Sequence, residues 1–109
     1  MIVTTAQGME LRWSRVAPEN SLAEKVLDVQ GLVVSVGIRR VIDNLTFSLS
    51  GGEVVYVAGP NGSGKSTLLN AIAGTDPAKI EDGRILFLGT DITLLPTHKR
   101  AALGISYMM

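Results

Sequence analysis

Polar and apolar positions alternate most cleanly over residues 45–50. Leu45, Phe47 and Leu49 fall on one face and Thr46, Ser48 and Ser50 on the other, as in a half-buried strand. A looser alternation of Leu32, Val34, Val36 and Ile38 predicts an earlier strand, with a turn around Gly37 and Arg39–Arg40. Gly51–Gly52 breaks the second strand. Residues 54–58, VVYVA, are apolar on both faces, which predicts a central strand of a parallel sheet covered on both sides. Over residues 65–73 the spacing becomes helical, with Leu68, Leu69 and Ile72 inward; Gly74 is a stop and Pro77 lies beyond it. Arg84–Leu88, between Gly83 and Gly89, reads as another strand. Thr97 is placed to cap a short helix running to about Leu103, with Gly104 after it. Residues 105–109 start a further strand. Residues 1–24 are weakly patterned and read as an N-terminal lead-in, with a turn or linker at Pro18–Ser21, so residues 25–109 carry the domain.

A chain of 109 residues has room for one small domain. Its 46% hydrophobic content and 18% charged content suit a folded core. Ten basic and ten acidic residues cancel, which gives no electrostatic case for a nucleic-acid partner. The absence of cysteine excludes disulfides and thiolate metal sites. VVYVA and ILFL are too short to span a bilayer, and the first thirteen residues lack the pattern of a secretory signal. A soluble cytoplasmic protein is the expectation.

Residues 59–66, GPNGSGKS, fit G-x-x-x-x-G-K-[ST] through Gly59, Gly64, Lys65 and Ser66. The order strand, glycine-rich loop, helix is the order this motif requires. Glycines let the backbone turn its N–H groups toward phosphate oxygens, and the helix start adds unpaired donors. Lys65 would reach the β- and γ-phosphates, and the Ser66 hydroxyl would bind Mg²⁺, which prefers oxygen ligands.

The string GPNGSGKSTLL, preceded by NLTFSLSGGEVVYVA, resembles the N-terminal part of the ATP-binding subunits of ABC transporters. The likeness runs from about Lys25 to Met109. Residues 91–107, DITLLPTHKRAALGISY, look most like importers of the branched-chain amino acid or urea type. The resemblance implies an α/β P-loop NTPase fold of the ABC ATPase type in part. It comprises an antiparallel β-subdomain and the phosphate-loop part of the parallel core. It also implies ATP and Mg²⁺ as cofactors, with nucleotide contacts from Gly59, Pro60, Asn61, Gly62, Ser63, Gly64, Lys65, Ser66 and Thr67. The implied partners are a membrane permease and a second ATPase subunit. The protein would then be peripheral on the inner face of the cell membrane, with no span of its own. In the family an aromatic residue before a glycine stacks on adenine. The matching dipeptide here is Val36–Gly37, so Val36 offers apolar contact without a π face. Packing within the sheet explains Val36 equally well.

Three features mimic chemistry. LSGGE, residues 49–53, looks like the signature by which the family closes its site, yet it precedes the phosphate loop and ends a strand. It matches the family's hairpin turn at this place and is expected to be a decoy. ILFLGTD ends in Asp91, but Gly89 and Thr90 intervene, so Asp91 reads as a solvated turn residue. His98, the sole histidine, stands at a polar helix start beside Lys99 and Arg100 and reads as a surface residue.

After Thr67 the sequence holds no apolar strand ending in Asp-Glu, no later signature and no histidine beyond His98. Hydrolysis needs a water-orienting group and charge stabilisation. The 109-residue chain alone is therefore expected not to hydrolyse ATP, whereas full-length family members do. No catalytic residue is assigned. A core strand at 105–109 would also be left without its neighbours, which predicts low stability and self-association. In the family the strand resembling GISYMM leads into a glutamine, so the coding sequence is expected to continue with one. The rival reading is a non-enzymatic truncated or pseudogene fragment with weak nucleotide binding. A small P-loop kinase using Asp91 is a third.

Overall fold

The computed structural model describes residues 2–16 and 24–106. Among these residues seven strands and two helices follow one another: β1 (Ile2–Thr4), β2 (Glu10–Arg15), β3 (Lys25–Val36), β4 (Arg39–Ser50), β5 (Glu53–Ala58), α1 (Lys65–Ala73), β6 (Lys79–Phe87), β7 (Thr90–Asp91) and α2 (Thr97–Ala102). They form a three-stranded sheet, β1-β2-β5, and a four-stranded sheet, β4-β3-β6-β7. Among the described residues every strand pairing is antiparallel.

The alternation over 45–50 is realised: Leu45 and Phe47 are buried while Thr46 is exposed. In the other alternating run, Leu32 and Val34 are buried and Val36 is half-buried, but Ile38 is fully exposed. The strand ends at Val36, and Ile38 belongs to the turn with Gly37, where side-chain direction no longer alternates.

Two larger differences concern the strand before the loop. The apolar run 54–58 was expected to be covered on both faces. Instead β5 pairs antiparallel with β2, in the register Leu11↔Val57 and Trp13↔Val55 on one face and Arg12↔Tyr56 on the other. Val55, Val57 and Trp13 pack on the core, whereas Tyr56 is 59% exposed. The partner strand comes from the segment read as a lead-in. Met9 and Leu11 are completely buried, so this stretch is part of the core although it shows little periodicity. Its short strands offer too few positions for a period to stand out. The turn expected at Pro18–Ser21 lies outside the described residues, between the end of β2 at Arg15 and the start of β3 at Lys25.

The two sheets meet through Trp13, whose indole N–H donates to the Ser48 carbonyl at 2.7 Å and whose ring meets Phe47 edge-on at 6.0 Å. LSGGE carries the chain between them. Leu49 and Ser50 end β4, Gly51–Gly52 turn, and Glu53 opens β5 in the other sheet. The segment is thus a crossover and not the hairpin turn expected. Glu53 accepts from the Ser50 amide at 2.8 Å, and the Gly51 amide donates to the Glu24 carbonyl at 3.0 Å.

α1 has the expected bounds and ends at Gly74, whose amide donates to the Asn70 carbonyl at 2.8 Å. Its inward face differs by one position. Leu68 and Ala71 are buried with Ile72 packed beside them, while Leu69 is 43% exposed. At 100° per residue, Leu69 falls off the stripe that Leu68 and Ala71 define. β6 begins at Lys79 and takes in Gly83, which the pattern placed as a flank. A Cβ at Gly83 would stand 2.4 Å from the Gly31 carbonyl oxygen, so close backbone approach between β3 and β6 demands glycine there. Ile105 and Ser106 are not in a strand; the rest of the expected strand, 107–109, lies outside the described residues.

Candidate functional site

The phosphate-loop sequence sits between the end of β5 and the start of α1. Pro60 and Ser63 close a tight turn, with the Ser63 amide donating to the Pro60 carbonyl at 3.1 Å. Gly59 has φ 151°, and a Cβ there would lie 2.7 Å from Ser63 Oγ and 2.8 Å from the Gly8 carbonyl oxygen. The loop is therefore wedged against the β1–β2 turn, and only glycine fits at its first position.

The first turn of α1 has no side-chain cap. The Leu68 amide donates to the Gly64 carbonyl at 2.9 Å, the first bond of the helical ladder. The amides of Lys65, Ser66 and Thr67 stand before that bond, as the first N–H groups of any α-helix do. The Lys65 ammonium donates to the Gly59 carbonyl and, at 3.1 Å, to the Pro60 carbonyl. It thus bridges the loop from its helix end to its strand end.

A cavity of about 310 Å³ opens over this loop. It is lined by Pro60, Asn61, Gly62, Gly64, Lys65, Ser66 and Thr67 from the loop and α1, and by Val36, Arg39 and Val41 from β3 and β4. Of the residues expected to contact nucleotide, Gly59 and Ser63 do not line the cavity, whereas Val36 lines it from β3. Ser63 Oγ is buried and is the one such side-chain atom without a hydrogen-bond partner among the described residues. Arg39 lines the cavity although no motif pointed to it; its place opposite Val36 in the β3–β4 register was the available signal.

The donor set suits a polyanion: helix-start amides, a flexible ammonium and a glycine-rich turn. For Mg²⁺ the fit is partial from the protein side. Ser66 offers a hydroxyl oxygen on the cavity wall, and no cluster of three or more acidic, histidine or cysteine side chains occurs among the described residues. An ion there would take its other oxygens from phosphate and water, as Mg²⁺ commonly does.

The imitators are elsewhere. Asp91 is exposed on β7, and its carboxylate accepts from the Thr93 amide at 3.0 Å and the Thr93 hydroxyl at 2.6 Å. Those two bonds, the hydroxyl's first, hold its pKa below the usual value. It does not line the cavity. His98 is exposed on α2.

Two neighbours of His98 differ from expectation. Thr97 is the first helical residue and does not cap α2; its hydroxyl donates to the Gly74 carbonyl at the end of α1. Arg100, expected on a polar helix start, is 3% exposed. Its guanidinium donates to the carbonyls of Ala71, Ile72 (3.0 Å), Thr93 (2.9 Å) and Leu95 (2.8 Å), and burial pushes its pKa down. A five-donor fork can satisfy carbonyls of a helix and of a loop at once, which sequence position does not reveal.

Comparison with known proteins agrees with this geometry. Residues 42–109 match the model of the family described as ABC transporter. The chain is 40% identical over 80 residues to a probable ATP-dependent transporter, ycf16, of Antithamnion sp., covering 73% of the chain and 32% of that protein. It is 44% identical over 75 residues to the Fe(3+) ions import ATP-binding protein FbpC of Streptomyces coelicolor, covering 69% of the chain and 21% of the relative. Among solved structures, a nucleotide-free ATP-binding cassette from an ABC transporter superposes with TM-score 0.59 at 30% identity, covering 73% of the chain and 31% of the other. The chain thus spans about a third or less of the length of these proteins. With the family model matching more than half of its residues, over the loop and both helices, the chain belongs to the ABC transporter family.

Proposed function

We infer that the chain is the nucleotide-holding part of an ABC ATPase subunit, which binds MgATP through residues 59–67. The observation that carries this reading is the single cavity wall on which α1's first turn, Lys65 and Ser66 converge. The loop amides and the Lys65 ammonium would hold the β- and γ-phosphates, and Ser66 would hold Mg²⁺. Val36 gives the base an apolar contact. Bound Mg²⁺ supplies charge neutralisation on the phosphates.

Among the described residues, those lining the cavity include no carboxylate and no imidazole. Water activation is therefore assigned to other parts of a complete subunit and to a second ATPase subunit, and the work of hydrolysis to a membrane permease. No helix among the described residues is long and apolar enough to cross a membrane. The importer-like stretch 91–107 has a structural part to play, since Thr97 and Arg100 within it tie α2 to α1.

Titration calorimetry with MgATP tests the reading. Lys65→Ala removes a charge-assisted contact worth about 1.5–3 kcal/mol, a loss of roughly ten- to a hundredfold in affinity. Equal binding by both proteins overturns the assignment. Sustained Mg²⁺-dependent phosphate release by the chain, abolished by Lys65→Ala, would refute the assignment of water activation elsewhere.

A further inference from the structure

We propose that Arg39 holds the nucleobase, laying its guanidinium plane on the ring opposite Val36; this rests on the nucleotide reading above. Val36 and Arg39 are cross-strand partners at the β3–β4 turn. Directly opposed residues of an antiparallel pair project to the same face. Here that face is the cavity wall across from the phosphate loop, where both residues are found. Arg39 Nη2 lies 4.0 Å from the position a Cβ would take at Gly62, so the guanidinium overhangs the loop's rim. A ligand with its phosphates on the amides of α1 must pass its remaining atoms along this wall.

The chemistry of the wall narrows the role. Among the described residues no aromatic ring lines the cavity, and Arg39 carries the one guanidinium on its wall. Arg40, one residue on, points to the other face and pairs with Asp43 at 3.7 Å. Arg39 makes no ion pair among the described residues. Its placement comes from strand register, which leaves the head group able to settle on a ligand. Guanidinium is planar, weakly hydrated and stacks on aromatic faces, a property that the lysine ammonium lacks. Val36 supplies the apolar floor and Arg39 the plane. A stacked contact does not read the edges of the base, so adenine and guanine nucleotides are held alike by this pair.

The experiment compares MgATP with magnesium tripolyphosphate, which has phosphates and no base, on the wild-type chain and on Arg39→Ala, Arg39→Lys and Arg39→Tyr. Arg39 is exposed, so the variants keep the fold, which circular dichroism checks. Arg39→Ala is expected to weaken MgATP binding about two- to thirtyfold and to leave tripolyphosphate within about twofold. Arg39→Lys stays as weak as Arg39→Ala, while Arg39→Tyr restores ATP. Unchanged ATP binding in Arg39→Ala overturns the proposal. So does a parallel loss of both ligands that lysine restores, which would make Arg39 a phosphate contact. Lys65→Ala separates the two levels. If it abolishes binding of both ligands while Arg39→Ala changes nothing, the base contact fails and the nucleotide site stands. If the wild-type chain binds neither ligand, both fail.

Discussion

The two ends of α1 meet the same requirement in opposite ways. Every α-helix leaves amides unpaired at its start and carbonyls unpaired at its end. At the start no side chain caps the helix, and its first turn opens on the cavity. At the end the acceptors are all but sealed. Gly74 and Thr75 amides share the Asn70 carbonyl, Arg100 covers those of Ala71 and Ile72, and Thr97 takes that of Gly74. The buried guanidinium has carbonyl dipoles for partners, and the partial negative charge of a helix C-terminus favours a cation there. A helix with both ends sealed would offer nothing to a phosphate, and one with both ends open would lose its seat on the core. On the proposed reading, stability and ligand capacity are divided between the termini of one nine-residue element.

The largest effect should come from breaking the sealed end. Arg100→Leu leaves carbonyls of α1 and of the β7–α2 loop without donors, at a cost of about 2–4 kcal/mol. Urea titration followed by circular dichroism measures it. Arg100→Lys keeps the charge without the fork and is expected to recover less than half. A midpoint equal to wild type in both would show that the carbonyl contacts carry no weight.

Next is Gly59→Ala at the open end. Its Cβ meets Ser63 Oγ and the Gly8 carbonyl oxygen at under 3 Å, so the loop must shift. About 1–3 kcal/mol of strain is expected, with loss of MgATP binding beyond what that destabilisation explains. Retained affinity would mean that the loop's position against the β1–β2 turn is immaterial.

The smallest is Thr97→Val, which removes one hydrogen bond from the sealed end. A loss of about 1 kcal/mol and unchanged nucleotide affinity are expected. If affinity drops with stability, the two ends are coupled and the division between them is not clean.

Much of this was legible in the residues. GPNGSGKS placed the loop, because tight backbone turns and helix-start donors restrict residue type over a span of eight positions. Gly74 marked the end of α1, and the alternation of Leu45, Phe47 and Leu49 marked the buried face of β4. These are local constraints, and local sequence carries them.

What tertiary structure alone decided is which elements meet. Sequence placed Arg100 on a polar helix start, and only the approach of α2 to the end of α1 buries it. LSGGE reads as a turn, yet the pairing of β5 with β2 determines that the turn leaves one sheet for another. Met9 and Leu11 lie in a segment too short to show a period, and they are core because β5 pairs with β2, which contains Leu11 and follows Met9. Arg39 reaches the cavity through register with Val36, across a turn that any pair of residues could flank. A residue's own type and spacing set its backbone options, whereas burial and charge pairing depend on partners distant in the chain.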